Sequence, residues 1–443
     1  MLGNLDTVLG DTSGRIRLAA GLVVALWLGV AWAHWSPTTR PEAAAGPPTY
    51  ELRLLVAEGQ PSPAGGMFDR FHVASQPIVT PLNRKGQTAF FATLIRSGAE
   101  EGVFRHEPDG RIDKIAAAGD SAPGGGTLSS FAKHPIVAMN DKGTVAFTAA
   151  VAGGKAVEGV FLHTAGRLKA IALTGTAAPG IANGTFADFE VPALDDNDNV
   201  VFLANVRRGR EAVEGIFLSR GGELRKVLAA GDPAPGGGTF AAFGIPSINS
   251  AGTIAFTAVV EKGNVLGGIY LHQNSEARLL VGAGDKAPDD STIAKFSERI
   301  ALNESGTVAF NAILKYGTAP AAVLRVDGGS TGFVARIGEA APEGGKFGYL
   351  GLWPAIADNG AITFIASLEG EAPGIAIFQS DGGQVRRIIA QGDALPGGQK
   401  LASFGLYPVV SASPDGQVAF ATTPTSTGPG RDAIYAYLPV KRR

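Results

Sequence analysis

The sequence predicts an all-β protein, a seven-bladed β-propeller of four-stranded blades, and three observations carry that expectation. First, a Gly-polar-Pro segment, seen most fully as AGDPAPGGG at residues 230–238, returns at Gly59, Gly119, Gly175, Gly231, Gly284, Gly338 and Gly392. Second, the pattern Asn-x-x-Gly-x-[Val/Ile]-x-Phe, or a close variant, ends at Phe90, Phe147, Phe202, Phe256, Phe310, Phe364 and Phe420. Both markers step by 53 to 60 residues and stay in phase, so a repeat architecture overrides the two or three domains that 443 residues would suggest. Third, the last unit stops after AIYAY at residues 433–437 without a fourth strand, while an unmatched RLLVAEG stands at residues 53–59, before the first loop. It matches RLLVGAG at residues 278–284, the fourth strand of another unit. The N-terminal strand is therefore expected to complete the last blade and close the ring.

Within one unit the elements follow in order. In the fourth, a Pro-containing strand is expected near residues 244–248, a turn at 249–252, and a strand TIAFTAVV at 253–260. A variable loop leads to GIYLH at 268–272, and a polar turn to ARLLVGA at 277–283. Short strands separated by Asn/Gly turns, with no amphipathic helical pattern beyond the N-terminus, read as β-structure throughout. Ile254 and Phe256 share one face while Ala255 and Thr257 share the other, so a bulky face is expected to nest against a neighbour's small face. The Gly-Asp-Pro segment links the outer strand of one blade to the inner strand of the next. Pro ends the ladder, Gly permits the reversal, and Asp caps exposed amides.

Before the repeats the chain divides into a short cytoplasmic segment (1–17), an apolar helix (18–35) and a Pro/Ala-rich linker (36–49), with the propeller over 50–443. The apolar run LAAGLVVALWLGVAWA, at 18–33, follows Arg15 and Arg17. It falls between a signal-peptide core of about 7–15 residues and a spanning helix of about 17–25. Retained membrane anchor and signal cleaved near Ala33 stay open as alternatives. Either one sends the propeller across a membrane.

Composition narrows the function classes. Hydrophobic residues make up 45% and charged residues 18%, with a net charge of -2 and mixed signs, so no footprint for nucleic acid is visible. Cysteine is absent, which removes disulfides, thiolate metal sites and a cysteine nucleophile. The glycine loops lack the Gly-Lys-[Ser/Thr] ending of a phosphate loop. Asp120, Asp232, Asp285 and Asp393 share a repeat position and read as turn caps, with a cation-binding ring as the alternative. His106, His163 and His272 lie on different units, too scattered for one metal, while His72 and His134 are placed nearer the central channel. No catalytic set, metal site or cofactor motif is picked out.

Function on a propeller is expected where the repeat breaks. The loops between second and third strands vary most, and RRGREAVE at 207–214 offers Arg207, Arg208 and Arg210 as binding candidates. Glu101, Glu158 and Glu214 each precede a third strand in successive units and form a local acidic run. Asp289 and Asp290 replace the usual Gly-Gly of the fifth loop.

The units at 140–149, NDKGTVAFTA, and 303–312, NESGTVAFNA, resemble a family of bacterial repeat proteins built on Asn-x-x-Gly-x-Val-Ala-Phe. SPDGQVAF at 413–420 is also similar to the WD-repeat-like blades of TolB-type periplasmic propellers. The resemblance implies a propeller and an envelope location. It carries over no Tol role, since that family's separate N-terminal domain has no counterpart here. The expected function is a non-catalytic, monomeric binding or scaffold propeller of the cell envelope that recognises a protein or glycan through its loop-bearing face. The alternative is an envelope hydrolase or lyase with its site at the channel mouth.

Overall fold

The computed structural model describes residues 50–73, 79–370, 374–405, 407, 409–423 and 431–439. The expected N-terminal helix and linker lie outside them. Among the described residues no helix is long and apolar enough to cross a membrane.

Seven antiparallel sheets form in sequence order, and the seventh takes its outer strand from the chain's start. Tyr50–Ala57 pairs with Ala433–Pro439, with Arg53 opposite Ala436 and Ala57 opposite Ala433. Its ladder shifts register between Leu54 and Val56, and the other outer strands carry the same irregularity, as between Ile216 and Phe217 or Ile269 and Tyr270. The closing strand is thus a true fourth strand in sequence and in geometry. Tyr50 stacks on Tyr437 with centroids 5.4 Å apart, and Val56 is fully buried.

Blade four illustrates the rest: Ile254–Glu261 pairs Gly267–Gln273, which pairs Glu276–Gly282. The inner strand differs from the sequence expectation. Instead of one strand over 244–248 it is split, Thr239–Phe243 pairing one half of the second strand and Ser247–Ile248 the other. Pro246, which has no amide to donate to a ladder, and Gly244 occupy the break. A Cβ on Gly244 would lie 2.1 Å from Thr257 Oγ1 and 2.2 Å from the Glu298 carbonyl. Only glycine lets the two inner strands meet there.

The alternation packs as expected. Ile254 and Phe256 join Val201 and Leu203 of blade three, whereas Ala255 joins Phe310 of blade five. In blade five Phe310 faces Leu324, while in the other six blades the marker phenylalanine pairs across to an aromatic on the third strand, as Phe256 does with Tyr270 at 5.8 Å. Such a pair adds about 0.5–1.5 kcal/mol beyond its buried area.

The second marker explains how neighbouring blades lock. Asn249 Oδ1 accepts the amide of Thr253 within its own turn, while its Nδ2 donates to the Asn303 carbonyl one blade on. Asn303 repeats this toward Ala357, and Asn83 and Asn140 toward Asn140 and Asp195. Asparagine is needed because one side chain must both accept and donate.

Candidate functional site

Two rims follow from strand direction. The Asn turns surround one mouth of the central channel; the Gly-Asp loops and the loops between second and third strands surround the other.

On the Gly-Asp rim the loop acids are caps. Asp120, Asp232, Asp285 and Asp393 accept the amides of Ala117, Ala229, Gly282 and Ala390 at 2.7–2.8 Å, and Gln60 and Glu339 do the same where Asp is replaced. Lys114, Lys226 and Arg387 pair with three of them. Among the described residues no His/Asp/Glu cluster is arranged to hold a metal.

Glu101, Glu158 and Glu214 reach into the next blade. Their carboxylates accept the amides of Phe131, Phe189 and Phe243, at 2.6, 3.0 and 2.6 Å. Each closes the gap between two blades with a charge-assisted bond. Asp432 stands at the same position in blade seven and meets His72 Nδ1 at 2.9 Å. In blades four, five and six the position belongs to Gly267, Ala321 and Ile375, so the carboxylates occupy one arc of the ring.

Where Gly267 stands, the gap is open. A cleft of ≈ 450 Å³ lies between blades four and five, lined by Phe243, Gly244, Val259, Leu266, Gly267 and Phe296, among others, with Glu298 and Lys295 at its edge. Val259 and Leu266 are exposed at 52% and 66%, a high value for two neighbouring aliphatic side chains. Phe296 is paired to Ala312 as Phe243 is paired to Ala258, so its amide holds the place of the Phe243 amide that donates to Glu214 one blade earlier.

Toward the axis the cleft meets an acidic bowl. Burial, then Glu298, and further Asp188 and Glu158, push the Glu190 carboxyl up to about 7. Burial, with Asp188 and Glu298, also raises Glu214 against the bond from Phe243. Lys133 pairs with Glu158 at 2.9 Å. His134 adds no charge near neutral pH, since burial and then Lys133 hold it down to about 4; its Nδ1 lies 3.7 Å from Glu190 Oε2. The bowl therefore concentrates carboxylates that repel one another.

The remaining candidates are scattered. Arg207 and Arg208 are not loop residues: Val200–Arg208 and Glu211–Arg220 form a continuous hairpin with only Gly209 and Arg210 at its tip. Arg208 pairs with Glu211 on the surface. Asp289 is held below the usual carboxylate range by the Ser291 hydroxyl, and Asp290 takes a positive φ of 64° in the outer loop. His106, His163 and His272 end third strands of separate blades, and burial lowers all three.

Sequence reading missed Gly267, Glu190, Glu298 and the buried Arg299. Glycine in place of a Glu that recurs in three earlier units was the available signal.

Seven four-stranded blades, closed by a strand from the chain's start, define a seven-bladed β-propeller whose loop-bearing rim carries an open inter-blade cleft. The chain belongs to DUF7453, a family of unknown function, which matches residues 45–266 and 260–437. No curated protein matches it. Among solved structures it is similar to the polysaccharide lyase Uly1, at 12% identity and TM-score 0.46, covering 87% of this chain and 97% of that one. It is also similar to a lectin from Aleuria aurantia, at 11% identity and TM-score 0.36, covering 74% of this chain and 98% of the lectin. The β-propeller domain of the Trilobed protease from Pyrococcus furiosus matches at 10% identity and TM-score 0.33, over 70% and 95%. These likenesses concern the fold.

Proposed function

We propose that this is a non-catalytic binding propeller of the cell envelope whose binding face is the Gly-Asp rim. Its partner is a protein segment that presents a basic side chain beside an apolar one. The cleft that Gly267 leaves between blades four and five carries the reading: aliphatic and phenylalanine walls end at Glu298, beside the Glu190 bowl. Apolar walls favour burial of a hydrophobic group, and mutually repelling carboxylates favour a cation. Arg207, Arg208 and Arg210, on the same rim, extend the contact. Export is supported by the apolar run at 18–33 behind Arg15 and Arg17.

Titration calorimetry on the full chain tests the ligand class. N-acetyl-Leu-Arg-amide is expected to bind and N-acetyl-Leu-Glu-amide not to, with Glu298→Gln weakening the first about tenfold. Equal heats for the two peptides would overturn the reading.

The hydrolase or lyase alternative draws on one observation. Glu190 titrates near neutrality beside a neutral His134, a combination suited to proton transfer. Release of product from a polyuronate or glycoside by the wild type, lost in Glu190→Gln, would favour it.

A further inference from the structure

The central channel holds a second feature, independent of the cleft. Four residues before each Asn turn stand Val79, Ile136, Val191, Ile245, Arg299, Trp353 and Val409, a ring apolar except for one arginine. Ile136, Val191 and Ile245 pack together with Val79 and Trp353 into an apolar collar across the channel. On the Asn-turn side of the collar lies a cavity of ≈ 270 Å³, lined in part by Val137, Ile300, Trp353 and Pro354.

Two polar groups in its wall lack partners among the described residues. Arg299 Nη1 is buried and makes no hydrogen bond, and Ser411 Oγ, from blade seven, is likewise buried and unbonded. The backbone fixes Arg299 in place. Its residue forms a parallel bridge with Ile245, and Ser297 Oγ donates to its carbonyl at 2.9 Å. The guanidinium carbon lies 5.8 Å from the Trp353 ring centroid, which supports one face of the group. Enclosure pulls the guanidinium down to about 10, with no carboxylate close enough to offset it.

Five carboxylates, Asp141, Asp195, Asp196, Glu304 and Asp358, belong to the lining of this cavity and each is engaged, Asp195 by the amides of Asn197 and Asn199. Asp141, Asp196 and Asp358 accept the amides of Arg84, Asp141 and Glu304, and Glu304 accepts that of Ser250. Arg84 pairs with Asp141, Asp358 and Asp415 and offsets part of their charge. Ser247 Oγ is spent on the Ile300 carbonyl. An uncompensated guanidinium and a free hydroxyl therefore stand in the wall of a cavity lined by polar and apolar groups alike.

We propose that the channel cavity is a binding site for a small organic carboxylate, held by the Arg299 guanidinium and the Ser411 hydroxyl with its hydrocarbon part against the apolar wall. A guanidinium presents paired donors that match a carboxylate, and a buried cation without a counter-charge gains most from one. The space exceeds what a halide fills, which favours an anion with a carbon tail.

The probe is sodium butanoate, with acetate and chloride as comparisons at constant ionic strength. A full-length chain carrying Trp27→Phe, Trp32→Phe and Trp35→Phe leaves Trp353 as its one tryptophan, so its emission reports on the cavity. Butanoate is expected to shift that emission saturably and to bind several-fold tighter than acetate, with chloride failing to compete. Ser411→Ala is expected to weaken binding about threefold and Arg299→Leu about tenfold or more. A linear, unsaturable response in the parent, or equal binding by parent and Ser411→Ala, would overturn the proposal. Neither result depends on Arg299→Leu remaining folded.

Discussion

Glu214 Oε2 accepts the amide of Phe243 at 2.6 Å, joining the third strand of blade three to the inner strand of blade four. One blade later Gly267 stands where Glu214 stood, and the cleft opens. The same repeat position thus acts as a staple on one arc of the ring and as an aperture on another. Glu101 and Glu158 belong to the first arc, with their carboxylates directed into neighbouring blades.

Closure predicts the largest stability effect. Removing residues 51–57 deletes most of the strand paired with Ala433–Pro439 and exposes the core around Val56 and Ile434. Its Tm should fall far below that of a chain lacking residues 36–48. Equal midpoints in a calorimetric scan would contradict the closed ring.

The asparagine lock predicts a specific loss. Asn249→Asp keeps the acceptor for Thr253 but removes the donor to the Asn303 carbonyl, at a site 3% exposed. Leaving that carbonyl unpaired beside a buried carboxylate costs about 2–3 kcal/mol, read as a lowered urea midpoint. At the equivalent turn Asp195 has no such donor, and its second oxygen instead accepts Asn199 Nδ2 at 2.7 Å.

The acidic bowl predicts a pH dependence with opposing parts. Glu190, raised to about 7, favours its protonated form in the fold. Its penalty is full above that value and is relieved as pH falls toward its ordinary 4.5. His134, held at about 4, favours its neutral form, so stability is lost as pH falls from 6.5 through 4. The Glu190 side chain is 41% exposed, and solvent reduces the effect to about 1 kcal/mol. Glu190→Gln should stabilise the protein by that amount near pH 8 and hardly at all near pH 5. An equal gain at both, by urea unfolding, would contradict the assignment.

The ring, its blade number and its closing strand were legible because they rest on local patterns repeated in phase. Asp232 was legible as a cap for the same reason: its partner, Ala229, is three residues away. The inner-strand split was not, since it depends on Gly244 meeting Thr257 of its own blade and Glu298 of the next. The role of Glu214 was hidden because its partner lies 29 residues on, in another blade, and from sequence the residue is simply a loop charge. Arg207 and Arg208 read as loop residues because a charged stretch around Gly209 carries no strand signal of its own, whereas cross-strand pairing continues through them.

The central claim is that Gly267 opens the binding cleft, and Gly267→Glu tests it most directly. A Cβ there meets the Ala258 carbonyl at 3.1 Å and the backbone is not in the left-handed region, so the side chain fits with a small adjustment. The new carboxylate should reach the Phe296 amide and close the cleft as Glu214 closes its own. In calorimetric titration with N-acetyl-Leu-Arg-amide, the wild type should bind and Gly267→Glu should not, with Tm unchanged or raised. Equal binding by both folded proteins would place the ligand elsewhere and contradict the account.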